Sequence, residues 1–163
     1  MSKLSRNAQP DSIRANSRTV FVTVRAKTGR SLLQSEWMAN LFIDVLHRYV
    51  AEQRFKVDDF VVMPNHVHLL LTLDETISIE KAVQLIKGKF SYRVKKEFGF
   101  PGEVWKRGFS ESRIDDRESF LKRRKYIDNK PVKAGLARAP EKYPYGSAYF
   151  RKRKKRSGSA GDI

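Results

Sequence analysis

Two rhythms of apolar and polar positions alternate along this chain. "SRTVFVTVRAK" (17–27), dense in β-branched residues, predicts a first strand. "QSEWMANLFIDVLHRYVAEQ" (34–53) has apolar residues at 38, 41, 42, 45, 46, 49 and 50, the spacing of one helical face. "FKVDDFVVMP" (55–64) and "HVHLLLTL" (66–73) predict two strands, antiparallel across a Pro-Asn turn. "SIEKAVQLIKGKFSYRVKKEFG" (78–99) predicts a second helix with Ser78 as N-cap and Gly99 after its last residues. Its buried stripe is Ile79, Ala82, Val83, Ile86, Phe90 and Val94. "GEVWKRGFSESRI" (102–114) reads as a weaker strand or hairpin, and "DRESFLKRRKYIDNK" (116–130) as a third helix stopped by Pro131. "PVKAGLARAPEKYPYGSAYF" then forms a looping wrap.

The order strand, helix, strand, strand, helix, strand, helix predicts a ferredoxin-like α+β fold. Two helices cover one face of an antiparallel sheet, and the third sits beside them. Residues 1–16 read as a disordered arm, 17–150 as one folded domain, and 151–163 as a disordered basic tail. The 163 residues suffice for one domain with a real core. Apolar runs fall far short of the ~20 residues of a membrane span, and the first residues do not resemble a signal peptide. A cytoplasmic protein is expected. The absence of cysteine excludes disulfides and thiolate metal sites.

Charge narrows the class. Thirty-four Lys and Arg against 18 Asp and Glu give a net charge of +16. Subtracting the six cations of "RKRKKR" (Arg151, Lys152, Arg153, Lys154, Lys155, Arg156) still leaves +10. A folded part that is itself so basic points to a polyanion. Aromatics among the cations, Phe90 and Tyr92 in "KGKFSYRVKK" and Trp105 in "VWKRGF", favour nucleic acid, on whose bases they can stack. Candidate DNA contacts on the second helix are therefore Lys87, Lys89, Tyr92, Arg93, Lys95 and Lys96. Trp105, Lys106 and Arg107 follow it, Lys122 and Arg123 lie on the third helix, and the basic tail adds the rest.

Two of the three histidines, His66 and His68, flank Val67 on a strand. Side chains alternate across a strand, so both imidazoles share a face with Leu70, while Val67, Leu69 and Leu71 occupy the other. Two nitrogen donors on rigid backbone suit a metal with open coordination positions; the bland alternative is a pair of hydrogen-bonded, half-buried histidines. His47 reads as a helix-surface residue. In a basic protein a metal fits phosphate chemistry, with the protein supplying a nucleophile. Without cysteine that nucleophile is Ser, Thr, Tyr or Lys. Tyr126 has Lys122, Arg123, Asn129 and Lys130 three or four residues away on its helix, a polar and cationic setting. Tyr92 is similarly placed among Gly88, Lys89, Lys95 and Lys96, and pattern alone leaves the two as rivals.

"MPNHVHLLLT", then "VWKRGF", "YIDNKPVKAGL" and "YPYGS" resemble the IS200-like transposases, and within them the REP-associated tyrosine transposases. The resemblance runs over about residues 17–150. It implies a single-tyrosine endonuclease of the histidine–hydrophobe–histidine class, with His66 and His68 holding Mg²⁺ or Mn²⁺. The matching tyrosine is Tyr126, which would attack a phosphate of single-stranded DNA to give a 5′-phosphotyrosine bond and a free 3′-OH. Hairpin DNA with a palindromic repeat is the implied substrate, with no small-molecule substrate and no nucleotide cofactor. Simple IS200 transposases exchange tyrosine helices in dimers, but the REP-associated group suggests a monomer. One position departs from the family pattern. Four residues after the tyrosine, where Asn or Gln completes the metal site, stands Lys130, whose ammonium has no lone pair to donate. Asn129 is about 100° away round an ideal helix and would serve only if the helix end distorts before Pro131. Otherwise the third ligand is water or Asp128, or Lys130 replaces metal charge at the phosphate. Two other readings stand beside this one: a domesticated hairpin-DNA binder that no longer cuts, and a phosphodiesterase using water as nucleophile.

Overall fold

A computed structural model describes residues 17–27 and 31–159, with side chains as far as residue 155. Four strands, β1 (Arg18–Arg25), β2 (Lys56–Met63), β3 (His66–Leu73) and β4 (Ser110–Ile114), form one sheet of order β2-β3-β1-β4, antiparallel throughout. Helix α1 (Glu36–Ala51) links β1 to β2, and α2 (Ile79–Phe98) links β3 to β4. Helices α3 (Arg117–Lys133) and α4 (Ser147–Ser159) follow the sheet. Most elements lie within a few residues of the sequence expectation, though β4 takes up only the last five residues of the 102–114 stretch, and the ferredoxin-like order holds. The arm 1–16 and residues 160–163 lie outside the described residues.

Caps set the helix ends. Ser35 Oγ accepts from Met38 N–H and Ser78 Oγ from Lys81 N–H, each satisfying an orphan first-turn donor. Gly99 (φ +63°) closes α2 in the left-handed conformation that glycine adopts without strain. The apolar stripes of α1 and α2 cover one face of the sheet. Phe42, Leu46, Phe90 and Val94 pack there against Val22, Val67, Leu69 and Leu71 in the main core.

Three expectations change. Helix α3 does not lie beside α1 and α2 but crosses the opposite face of the sheet. There Ile127 is fully buried in a smaller core with Val61, Met63, Leu70 and Tyr143. On this second face β2 carries Val61 and Met63 and β3 carries Leu70, an apolar patch that must be covered as well. Nor does Pro131 stop α3, which runs to Lys133. The stop is a Schellman turn, in which Gly135 (φ +76°) donates to Val132 O and Leu136 N–H to Pro131 O. Pro131 costs only one backbone bond in the last turn.

The third change concerns the basic tail, whose first part is helical. Helix α4 is anchored beside β2, where Phe150 meets Phe60 and the ring of His47. Just before it, the chain runs along the free edge of β2. Val62 N–H donates to Tyr145 O, Phe60 N–H donates to Ser147 Oγ, and Tyr143 Oη donates to Val62 O. A strand edge that would otherwise invite pairing with another chain is thereby closed. Gly146 sits where an added Cβ would come within 3.3 Å of Val61.

Candidate active site

The strand β3 presents its two imidazoles toward α3, across from the main core. Opposite them in the β1 register stand Arg25 against His66 and Thr23 against His68, with Phe21 paired to Leu70. His66 and His68 meet edge to face, ring centroids 4.8 Å apart. The phenol of Tyr126 comes down from α3, its ring 5.7 Å from that of His68 and 6.1 Å from Phe21.

Neighbours fix both rings. His66 Nδ1 lies 2.7 Å from Asn65 Oδ1. A carbonyl oxygen only accepts, so Nδ1 carries the proton and Nε2 keeps its lone pair. His68 Nδ1 bonds Thr23 Oγ1 at 2.9 Å, and its Nε2 is buried without a hydrogen-bond partner. Such an orphaned buried nitrogen calls for a ligand. Burial, followed by the charges of Arg25 and Lys130, lowers His66 to about 4. Burial, then His66, Lys130, Arg25 and Arg123, lowers His68 to about 3. At neutral pH both rings are uncharged, the state a metal ligand needs. The pair therefore fits a divalent cation, with Thr23 and Asn65 as the supports that orient each ring.

The other members of the expected set divide. Lys130 and Arg123 flank Tyr126 as helical spacing predicts, with Nζ 5.7 Å and the guanidinium carbon 5.5 Å from the centre of its ring. Arg123 also lies 4.2 Å over the ring of Phe21. Asn129, expected as a metal ligand, does not reach the histidines. Helix α3 stays regular past Pro131, so Asn129 points to the far side, donates to Lys125 O and lines a groove against α4. Asp128 is likewise committed. Its carboxylate bonds Arg151 Nη2, while Nη1 of the same guanidinium holds Asp59 at 2.8 Å. Burial, followed by the hydrogen bond and charge of Asp128, raises Asp59 to about 8. Among the described residues, no group of three His, Cys, Asp or Glu could hold a metal.

Several expected DNA contacts serve the fold instead. Trp105 is buried against Phe42 and Phe90, its indole N–H donating to Lys87 O. Phe90 is buried as well, so of the aromatics set among cations only Tyr92 is exposed. Tyr92 lies under Lys96 on α2, across the sheet from the histidines, whereas Tyr126 lies beside them. Lys87 donates to Lys106 O and Gly108 O, Lys95 donates to Gly102 O, and Arg93 pairs with Asp44 and Glu97. Lys89 lines a shallow groove between α1 and α2. Arg151 is an internal tie, not a tail residue.

Two basic depressions flank α3. One, of about 390 Å³ between β4 and α3, is lined by Ser112, Arg113, Ser119, Lys122 and Arg123. The other, of about 890 Å³ between α3 and α4, carries Arg124, Lys125, Lys152, Lys154 and Lys155. Arg153 lies over Tyr149, the side chain of Arg156 is outside the described residues, and Lys106 and Arg107 are exposed. Sequence reasoning missed Phe21, Thr23, Arg25, Asn65 and the Asp59–Arg151–Asp128 tie. The first three could have been found from the polar alternation in "TVFVTVR", once β1 is paired with β3.

Comparison with known proteins agrees with this fold. A solved REP-associated tyrosine transposase bound to a REP hairpin has a similar fold, with TM-score 0.68 and 22% identity over 81% of this chain and 77% of that one. A protein of Deinococcus radiodurans R1 described as a transposase is similar with TM-score 0.55 and 19% identity, over 76% of this chain and 96% of its own. No curated protein matches. The family model "Transposase IS200 like" matches residues 15–130, which include His66, His68, Tyr126 and Lys130. The chain belongs to the IS200-like transposase family.

Proposed function

We propose that the protein cleaves and rejoins single-stranded DNA next to a hairpin, with Tyr126 as nucleophile and His66 and His68 as metal ligands. The observation that carries this reading is the convergence of a half-exposed tyrosine and two neutral imidazoles on one face of the sheet. Mg²⁺ or Mn²⁺ on the two Nε2 atoms would polarise the scissile phosphate. The phenol oxygen of Tyr126 attacks phosphorus as its proton passes to water, and the bond to O3′ breaks. The product is a 5′-phosphotyrosine, and the departing O3′ takes a proton from water. Reversal by another strand's 3′-OH rejoins DNA without an energy source. Arg123 lies over Phe21 and within 5.5 Å of the centre of the Tyr126 ring, where a guanidinium suits phosphate oxygens. The basic depressions on either side of α3 suit the backbone of the bound hairpin.

The test is a denaturing gel of the protein with Mn²⁺ and a labelled hairpin oligonucleotide from the repeats flanking its gene. A covalent protein–DNA band is expected for wild type and Tyr92→Phe and is lost in Tyr126→Phe. Tight binding with neither adduct nor cut strand in either metal would instead support the hairpin binder. Cleavage that survives Tyr126→Phe would mean that water is the nucleophile.

A further inference from the structure

The charges around the histidine pair are all of one sign. Arg25 stands opposite His66 in the strand register, and Lys130 and Arg123 flank Tyr126 above His68. The carboxylate nearest in sequence, Asp128, is turned away into its bond with Arg151. The amide nitrogen of Asn129 donates to Lys125 O, and the side chain lines the groove toward α4. Among the described residues the site thus offers a dication two nitrogen donors and no negative charge, with three cations around that position. A metal site that stores its own affinity is built the other way, with carboxylates.

The missing charge and the missing oxygen donors are both properties of a DNA phosphate. We propose that the site is completed by its substrate. A phosphate of single-stranded DNA and the divalent cation bind as one unit, and Lys130 holds an oxygen of that phosphate instead of contributing to the cation. This inference rests on the function proposed above and assigns the third position of the site, which Lys130 takes from the family's amide. Lys130 is then a substrate contact with a catalytic charge. The arrangement also keeps the protein from retaining metal when no strand is bound. Because coupling between two ligands is reciprocal, Mn²⁺ must tighten DNA by the same factor by which DNA tightens Mn²⁺.

The test measures binding, with Tyr126→Phe protein so that the strand stays intact. Mn²⁺ is titrated by the loss of its free-ion electron paramagnetic resonance signal, with and without the hairpin oligonucleotide. The oligonucleotide with a His66→Ala/His68→Ala/Tyr126→Phe protein subtracts Mn²⁺ bound by DNA alone. The oligonucleotide should tighten Mn²⁺ at least tenfold, and fluorescence anisotropy should show Mn²⁺ tightening the oligonucleotide by an equal factor. Adding Lys130→Asn should raise Mn²⁺ affinity of the free protein and shrink the coupling. Equal Mn²⁺ affinity with and without DNA overturns the proposal, as does DNA binding that Mn²⁺ leaves unchanged. Either result leaves the function standing if wild type still forms the phosphotyrosine adduct. Failure of both adduct formation and hairpin binding would remove the function itself.

Discussion

Asp59→Asn should stabilise this protein, and only above acidic pH. Asp59 on β2 is wholly inaccessible to solvent, and Arg151 Nη1 donates to its Oδ1. Its Oδ2 and the Oδ1 of Asp128 are both buried without partners. Two carboxyls share one guanidinium, so a proton on Asp59 pointed at Asp128 satisfies both orphan oxygens and neutralises the trio. Burial and Asp128 accordingly raise Asp59 from 3.8 to about 8. The unfolded chain releases this proton near pH 4 and the folded chain keeps it to about pH 8. The stability linked to Asp59 is therefore complete below pH 4 and is lost as pH rises toward 8. At ~1.4 kcal/mol per unit, the three units between 3.8 and pH 7 amount to about 4 kcal/mol as an upper value. An asparagine keeps both bonds, its carbonyl for Arg151 and its N–H for Asp128, without the cost of binding a proton. Urea unfolding of both proteins from pH 4 to 9 measures the difference. Asp59→Asn should match wild type within about 0.5 kcal/mol at pH 4 and exceed it by roughly 2–4 kcal/mol at pH 8. A difference that does not change with pH, or a loss of stability at pH 8, would refute the shared proton.

Asn65→Ala and Thr23→Val each remove the hydrogen bond that orients one imidazole. Each should weaken Mn²⁺ binding to the DNA complex about 10- to 100-fold, with little change in melting temperature for Asn65→Ala. Ile127→Ala empties the centre of the small core under α3 and should cost about 2–5 kcal/mol by urea unfolding. It should also lower adduct yield more than hairpin affinity, because Tyr126 is the adjacent residue. Truncation after Arg151 spares the tie to Asp59 and Asp128 while removing the remaining cations of α4. Hairpin affinity measured against salt should then fall less steeply, its slope reduced by ~0.7 for each single-strand phosphate that α4 neutralises in the intact protein. An unchanged slope would place the groove off the DNA path.

Much of the fold was legible because local rules and global packing agree. Ser78 and Gly99 bound α2 where their side-chain chemistry predicts, and the parity of His66, Val67 and His68 told which residues face away from the core. The side on which α3 packs was less visible, because α3 contributes few apolar residues. The signal lay in its partners, Val61, Met63 and Leu70, which form an apolar patch on the second face of β2 and β3. A basic run such as "RKRKKR" looks the same whether solvated or folded. Nothing local distinguishes Arg151 from its neighbours, and its partner Asp59 is 92 residues away. Trp105 misled for the complementary reason. Its flanking cations suggested a stacking surface, while the ring itself fills the gap between Phe42 and Phe90.

The two-residue turn at Pro64 and Asn65 gives the chemistry a parity. Met63 pairs with His66 and Val62 with Val67, so both histidines face α3 only because the hairpin closes in that register. A one-residue slip there would turn the imidazoles into the aliphatic core and push Val67, Leu69 and Leu71 out toward α3. A change of two would preserve the faces. The turn is also pinned from outside, since Ala26 N–H donates to Asn65 O and Leu33 N–H to Pro64 O. Length variation in this hairpin is thus quantised in steps of two, and a single-codon insertion at this point would put aliphatic side chains where the imidazoles stand without changing any residue of the site.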